Sequence, residues 1–169
     1  MPKPAVRTHH RRVAETAPGP LWDAATSLRL SDTRTLGRLV RWRIPGLERE
    51  LTYGELFRAY PFTVLEEGER HLLAGLCGRI WTMARDYPRL SGPDDFARWD
   101  EPGTVRVLFG HWVKEVGGGR SELVSEARVG AVDRAAARRL STLWKVVGPF
   151  ERLVGAEAIV AATARSARG

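Results

Sequence analysis

The sequence predicts an α+β domain in which a bent antiparallel sheet packs against one long C-terminal helix. Two alternating runs, 104–116 and 120–129, flank Gly117-Gly118-Gly119, which supplies the positive-φ positions of a tight reversal. From Asp133, a good N-cap, to about Arg165 the apolar spacing turns helical through Ala136, Leu140, Leu143, Trp144 and Val147, then Phe150, Leu153, Val154 and Ile159. Ahead of these lie a strand, two short helices and another hairpin, so the long helix must bury its apolar face on the concave side of the sheet.

The first strand is Val6–Ala14, ended by Thr16-Ala17-Pro18-Gly19-Pro20. Leu21, Trp22, Ala25 and Leu28 form one face of a short helix with Pro20 near its first turn. Ser31 or Asp32 caps a second helix through Leu36, Leu39, Val40 and Trp42, which Pro45-Gly46 stops. Residues 51–60 hold a possible helical turn. A hairpin follows, with strands 62–66 and 71–81 around a polar turn at 67–70. Asp86 to Asp95 is irregular, with Phe96 and Trp99 on a turn of helix. Gly148-Pro149 is expected to kink the last helix, because proline lacks the N–H and its ring crowds the carbonyl four residues back. No repeat and no linker divides the chain, so residues 1–169 read as a single domain.

Composition narrows the function classes. At 43% hydrophobic and 28% charged, the chain has the apolar content for a real core and is not disordered. Charged residues interrupt every apolar run before the roughly 20 residues needed to span a bilayer. No apolar stretch follows Lys3, so no secretory signal is expected and the expected location is cytoplasmic. The single Cys77 excludes an intramolecular disulfide and a multi-cysteine metal site, and in an apolar strand it reads as an inert buried thiol. The formal charge of +7 is almost all arginine, with Lys3, Lys114 and Lys145 the lysines. Beside many Ala and Gly residues this suggests a GC-rich bacterial genome, which weakens the idea that the charge was placed to grip phosphate.

The stretches Val13-Ala14 through Pro18 to Leu21-Trp22, Leu73 through Trp81, Gly103-Thr104-Val105-Arg106-Val107, and Ser121 through Val129 running into Asp133 and Trp144, resemble in their order the SRPBCC superfamily, the START/Bet v 1-like helix-grip proteins that include polyketide cyclase-like and lipid-binding members. Together they cover most of the chain, and none is a catalytic signature. Residues 44–61 and 82–102 fit no part of the pattern. The resemblance implies a helix-grip fold with a cavity between sheet and C-terminal helix that holds an apolar or aromatic small molecule.

Strand alternation then indicates which side chains face that cavity. The odd set Val105, Val107, Phe109, His111 and Val113, with Leu123, Ser125, Ala127 and Val129 of the partner strand, is expected inward; Leu140, Trp144 and Val147 form the opposite wall. Arg79, beside Trp81 in its strand, can meet a ligand carboxylate bidentately or serve as an ion-paired surface arginine. The inward face of 71–81 is ambiguous, since both alternating sets carry apolar residues. His111 admits two readings, an acid/base group toward a bound carbonyl or phenol and a hydrogen-bonded interior histidine. Ser125 lacks an identified base and a nucleophile elbow, so it is expected to bond a ligand oxygen or the protein itself.

Other signals stay structural. His9 and His10 point to opposite strand faces, which argues against a metal site with His71, and Gly117-Gly118-Gly119 lacks the Gly-Lys-Ser/Thr ending of a P-loop, so neither metal nor nucleotide cofactor is expected. Asp94-Asp95 reads as a helix start. Arg34, Arg38 and Arg41, extended by Arg43 and Arg49, form a basic stripe on the second helix without any helix-turn-helix or other nucleic-acid motif. Three function classes remain. The first is a carrier or binding protein for a lipid, polyketide or aromatic metabolite. The second is a cyclase- or dehydratase-type enzyme using His111 in the same cavity. The third is a binder of anionic surfaces or nucleic acid through the stripe, although nucleic acid is not the expected partner. Monomer and homodimer are both open.

Overall fold

A computed structural model describes residues 4–44, 46–82 and 87–167, with the side chains of all of these except 43 and 149–155. Residues 1–3, Pro45 of the helix stop, Asp86 of the irregular loop, and the side chains of Pro149, Phe150, Leu153 and Val154 therefore lie outside the description. The elements are β1 (Val6–Ala14), α1 (Pro18–Thr26), α2 (Leu36–Arg43), α3 (Tyr53–Leu56), β2 (Thr63–Gly68), β3 (His71–Gly78), α4 (Pro93–Arg98), β4 (Val105–Gly117), β5 (Arg120–Ala131) and α5 (Arg134–Ser166). One curved five-stranded antiparallel sheet, ordered β1-β5-β4-β3-β2, wraps around α5. Among the described residues no helix is long and apolar enough to cross a membrane.

The β4–β5 hairpin is the spine of the sheet. Gly117, Gly118 and Gly119 all take positive φ (86°, 64° and 73°), a region closed to most side chains, so the chain reverses there. From that turn the register pairs His111 with Ser125, Phe109 with Ala127 and Val107 with Val129. β1 adds outside β5, with His10 opposite Ser125 and Thr8 opposite Ala127. β3 adds outside β4, with Leu72 opposite His111 and Leu76 opposite Val107. Paired residues share a face, so this register resolves the ambiguity of 71–81: Leu72, Ala74 and Leu76 face the helix, and His71, Leu73, Gly75 and Cys77 face away.

Helix α5 is seated at both ends. Asp133 caps it, its Oδ1 accepting the N–H of Ala136 at 2.7 Å and its Oδ2 that of Gly103 at 2.7 Å. Near that end Leu140 packs into a core with Val6, Leu76, Val105, Val107 and Val129. Near the other end Ile159 and Ala162 pack with Ala14, Leu21, Val113 and Leu123. α5 runs through Gly148-Pro149 as one continuous helix, Arg134–Ser166. On the opposite face of the sheet α4 covers β3. A Cβ on Gly75 would stand 2.7 Å from the Phe96 ring, so glycine is what admits that ring against the strand.

Several boundaries differ from the sequence expectation. β3 stops at Gly78, whose φ of 132° redirects the chain, so Arg79 and Trp81 belong to a turn in place of a strand. α1 begins at Pro18, because prolines in a first turn give up no hydrogen bond a helix would make. Ser31 and Asp32 do not cap α2; they lie in a 3-10 turn, Leu30–Asp32, where Asp32 accepts the Arg29 N–H at 3.0 Å. β2 runs on to Gly68, leaving Glu69-Arg70 as the turn.

Candidate functional site

Between its two seated ends α5 stands off the sheet, and the space left is a cavity of about 440 Å³. Val107, Phe109, His111, Leu123, Ser125 and Ala127 from the sheet and Trp144 and Val147 from α5 line it, together with Val129. Further residues complete the wall: Leu36, Leu39, Val40 and Ile44 from α2 and its end, Tyr53 and Leu56 from α3, Phe57 at the end of α3, and Phe62. Thr8 and His10 of β1 enter from the sheet edge.

Four predicted ligand contacts lie elsewhere. Val105 and Leu140 are fully buried in the core where α5 meets the sheet, so they seat the helix and line no space. Trp81 packs against that same core from the turn after β3, with its indole N–H buried and unpartnered among the described residues. Arg79 is exposed, 3.7 Å from Glu101, and does not border the cavity. The reason for these last two is Gly78: once the chain turns there, strand alternation no longer governs where the next side chains point.

The wall is aromatic on one side. Phe57 has ring centroids 5.1 Å from Phe62, 5.6 Å from Phe109 and 4.5 Å from His111, and Phe62 lies 5.5 Å from Phe109. α3, which delivers Phe57, is fixed by a capping box: Thr52 Oγ1 accepts the Glu55 N–H at 3.2 Å, and Glu55 accepts the Thr52 N–H at 2.8 Å. That Thr-x-x-Glu signature stands in the sequence before Leu56 and Phe57 and was the available signal for this part of the wall. α2 carries no capping box: Thr33 Oγ1 accepts the Gly37 N–H at 2.9 Å, and the N–H of Leu36 is bound by Glu157 of α5, 121 positions away.

Three polar side chains of the wall form one row. His10, Ser125 and His111 are consecutive partners across β1, β5 and β4, so their side chains stand side by side on the concave face. His111 Nε2 is buried with no hydrogen-bond partner among the described residues, and burial pushes the imidazole down to about 4. The ring is neutral at pH 7. Tyr53 also lines the space; its hydroxyl is buried without a hydrogen-bond partner in good geometry among the described residues, and burial raises its pKa above the ordinary phenol value, against the opposing influence of the Thr33 side chain. Adjacent His9 turns to the other side of the sheet, its Nδ1 3.1 Å from Glu126. Cys77 also faces that side, and burial pushes its thiol up to about 12, so it carries no thiolate at neutral pH.

Comparison with known proteins finds no matching family model and no matching curated protein. Three solved structures are similar to it at low identity. A hypothetical protein from Helicobacter pylori is 10% identical, covering 98% of this chain and 90% of its own, with a TM-score of 0.45. CalU16 from Micromonospora echinospora is 13% identical over 97% of this chain and 87% of its own, with a TM-score of 0.32. Ara h 8.0201 is 9% identical over 97% and 99%, with a TM-score of 0.33.

Proposed function

We propose that this protein binds a hydrophobic small molecule, of lipid, polyketide or aromatic-metabolite class, in the cavity between the sheet and α5. One observation carries the reading: an apolar and aromatic enclosure of about 440 Å³ that holds a few polar groups on a single row. Sites for small molecules typically enclose ~300–1,000 Å³ and use a small number of polar groups to set orientation. The same reading follows from the resemblance to the SRPBCC superfamily. Here the orienting groups are Ser125, His10 and His111, and a ligand hydroxyl or carbonyl at that row satisfies hydrogen-bonding capacity that the protein leaves open at His111.

Binding is favoured over catalysis by the environment of His111. An imidazole held near 4 accepts a hydrogen bond at neutral pH but is a weak proton acceptor, whereas an efficient general base has its proton affinity matched to the working pH. The cyclase or dehydratase reading uses the same ring and requires the bound substrate to raise its proton affinity.

The test is native mass spectrometry of protein purified from its producing cell, paired with uptake of an apolar fluorescent probe. A small mass that survives native but not denaturing conditions, and probe uptake lost in Ala127→Trp with the circular dichroism unchanged, are the expected results. A wild-type protein that carries no small molecule and takes up no probe overturns the reading. If a ligand is found, unchanged product formation by His111→Ala removes the ring as a catalyst.

A further inference from the structure

We propose that the mouth of the cavity docks on an anionic lipid bilayer through α2 and the adjoining turn of α5. This rests on the cavity reading only for its purpose, since the surface itself is defined independently. Leu39 and Val147 both line the cavity and are both exposed, at 45% and 37%, so they mark its rim. On the same helices, outside the cavity lining, Trp42 is 55% exposed and Val146, next to Val147 in sequence, 66% exposed, so both helices carry further exposed apolar surface. Single exposed apolar residues are ordinary on a protein surface; two pairs on helices that line an apolar cavity are not accounted for by chance exposure.

The charge on the same helix selects the partner. With Leu36 and Val40 turned into the cavity, the helical period places Arg38, exposed, and Arg41, half-buried, on the side away from it, with Trp42 and Leu39 between that side and the rim; Arg34, also exposed, stands in the bend just ahead of the helix. No carboxylate among the described residues forms an ion pair with Arg34, Arg38 or Arg41, whereas Arg7, Arg29, Arg58 and Arg128 elsewhere all have one. A short helix with arginines outward and Trp and Leu at its edge matches the headgroup boundary of a bilayer, where indole rings settle and basic side chains meet lipid phosphate. Duplex nucleic acid matches the arginines but offers nothing to the apolar rim. Docked in this way, the opening faces the acyl region, and an apolar ligand passes between membrane and cavity without crossing water.

The experiment is flotation of the full chain with vesicles of phosphatidylcholine alone and of phosphatidylcholine with about one-third phosphatidylglycerol, with duplex DNA as a parallel probe. Flotation with the anionic vesicles and not the neutral ones is expected, weakening as salt rises. A basic residue near an anionic surface contributes about fivefold in partitioning, so the triple variant Arg34→Gln/Arg38→Gln/Arg41→Gln should bind roughly 100-fold more weakly. Trp42→Ala should lose the blue shift of tryptophan emission that vesicles induce in the wild type. Equal flotation with neutral vesicles, flotation unchanged in the triple variant, or DNA binding tighter than vesicle binding overturns the proposal. Apolar-probe uptake separates the two claims: uptake without flotation removes the docking alone, and flotation without uptake removes the cavity reading alone.

Discussion

Glu157 of α5 accepts the backbone N–H of Leu36 in α2 at 2.8 Å, and the same carboxylate also takes the N–H groups of Arg34 and Thr35. The N-cap residue Thr35 makes no side-chain cap; within the first turn of α2, Thr33 Oγ1 accepts the Gly37 N–H at 2.9 Å, and Glu157 takes the donors before it. A carboxylate at that position satisfies donors that would otherwise be orphaned and complements the positive end of the helix. One helix of the cavity wall, α2, is therefore fastened by a residue of another, α5.

Removing that fastening should loosen this part of the wall. Glu157→Ala is expected to cost about 1–2 kcal/mol of global stability, the range for losing a helix cap. Amide hydrogen exchange at 34–36 should accelerate, and apolar-probe release should speed up with it. Glu157→Gln, which keeps an acceptor oxygen without the charge, should recover part of both. Exchange at 34–36 unchanged in Glu157→Ala would show that α2 is held by its apolar face alone.

His111 should make stability depend on pH above the usual acid range. Its folded-state value, about 4, lies below the ordinary 6.5 because burial disfavours the charged ring. The unfolded chain thus binds the proton first, so the stabilisation is complete above pH 6.5 and drains away as pH falls toward 4, by up to about 3 kcal/mol. Urea melts of His111→Leu should lack this slope. The variant should also gain about 1 kcal/mol at pH 7, since it removes a buried polar atom that has no hydrogen-bond partner among the described residues.

Glu126 should govern a second, lower window. Burial is the largest single influence on it and pushes its carboxyl up, but hydrogen bonds from Arg7, Arg128 and His9 together outweigh burial and hold it at about 2. A carboxylate depressed in the folded state stabilises fully above its unfolded value of about 4.5 and loses that contribution as pH falls through about 2, an upper bound of about 3 kcal/mol. Acid titrations of Glu126→Gln, followed by circular dichroism, should show the wild-type drop between about pH 4.5 and 2 markedly reduced. An unchanged acid limb would mean that the cluster with Arg7 and Arg128 contributes nothing net.

Gly75→Ala tests the far side of the sheet. The new methyl would meet the Phe96 ring at 2.7 Å, so α4 must shift, at a cost of about 1–3 kcal/mol for overpacking. Because Gly75 faces away from the cavity, probe uptake should be unaffected at temperatures where the variant is folded. The additional change Phe96→Ala should relieve the ring's part of the clash, leaving the Leu65 side chain at 2.9 Å, and a double-mutant cycle would register the relief as coupling.

The sequence by itself determined the β4–β5 hairpin, because three glycines leave one place for the chain to reverse. It determined the inward parity of Val107, Phe109, His111, Leu123, Ser125 and Ala127, because a strand's side chains alternate with period two and the polar set fell on the other side. It determined α5 through the spacing of Ala136, Leu140 and Trp144 and the cap at Asp133. What only the tertiary structure decided were relations between segments distant in sequence. Which face of β3 turns inward followed from its register against β4, since both of its faces are apolar. That Leu140 seats the helix while Trp144 lines the cavity depends on where α5 lifts from a curved sheet, which one helical face cannot reveal. The sequence pattern of α2 and the capping box of α3 mark them as helices, but that they cover the cavity depends on Glu157 and on packing around Phe57. Local periodicity specifies which way a side chain points along its own element; which element it meets there is set by the packing of the whole chain.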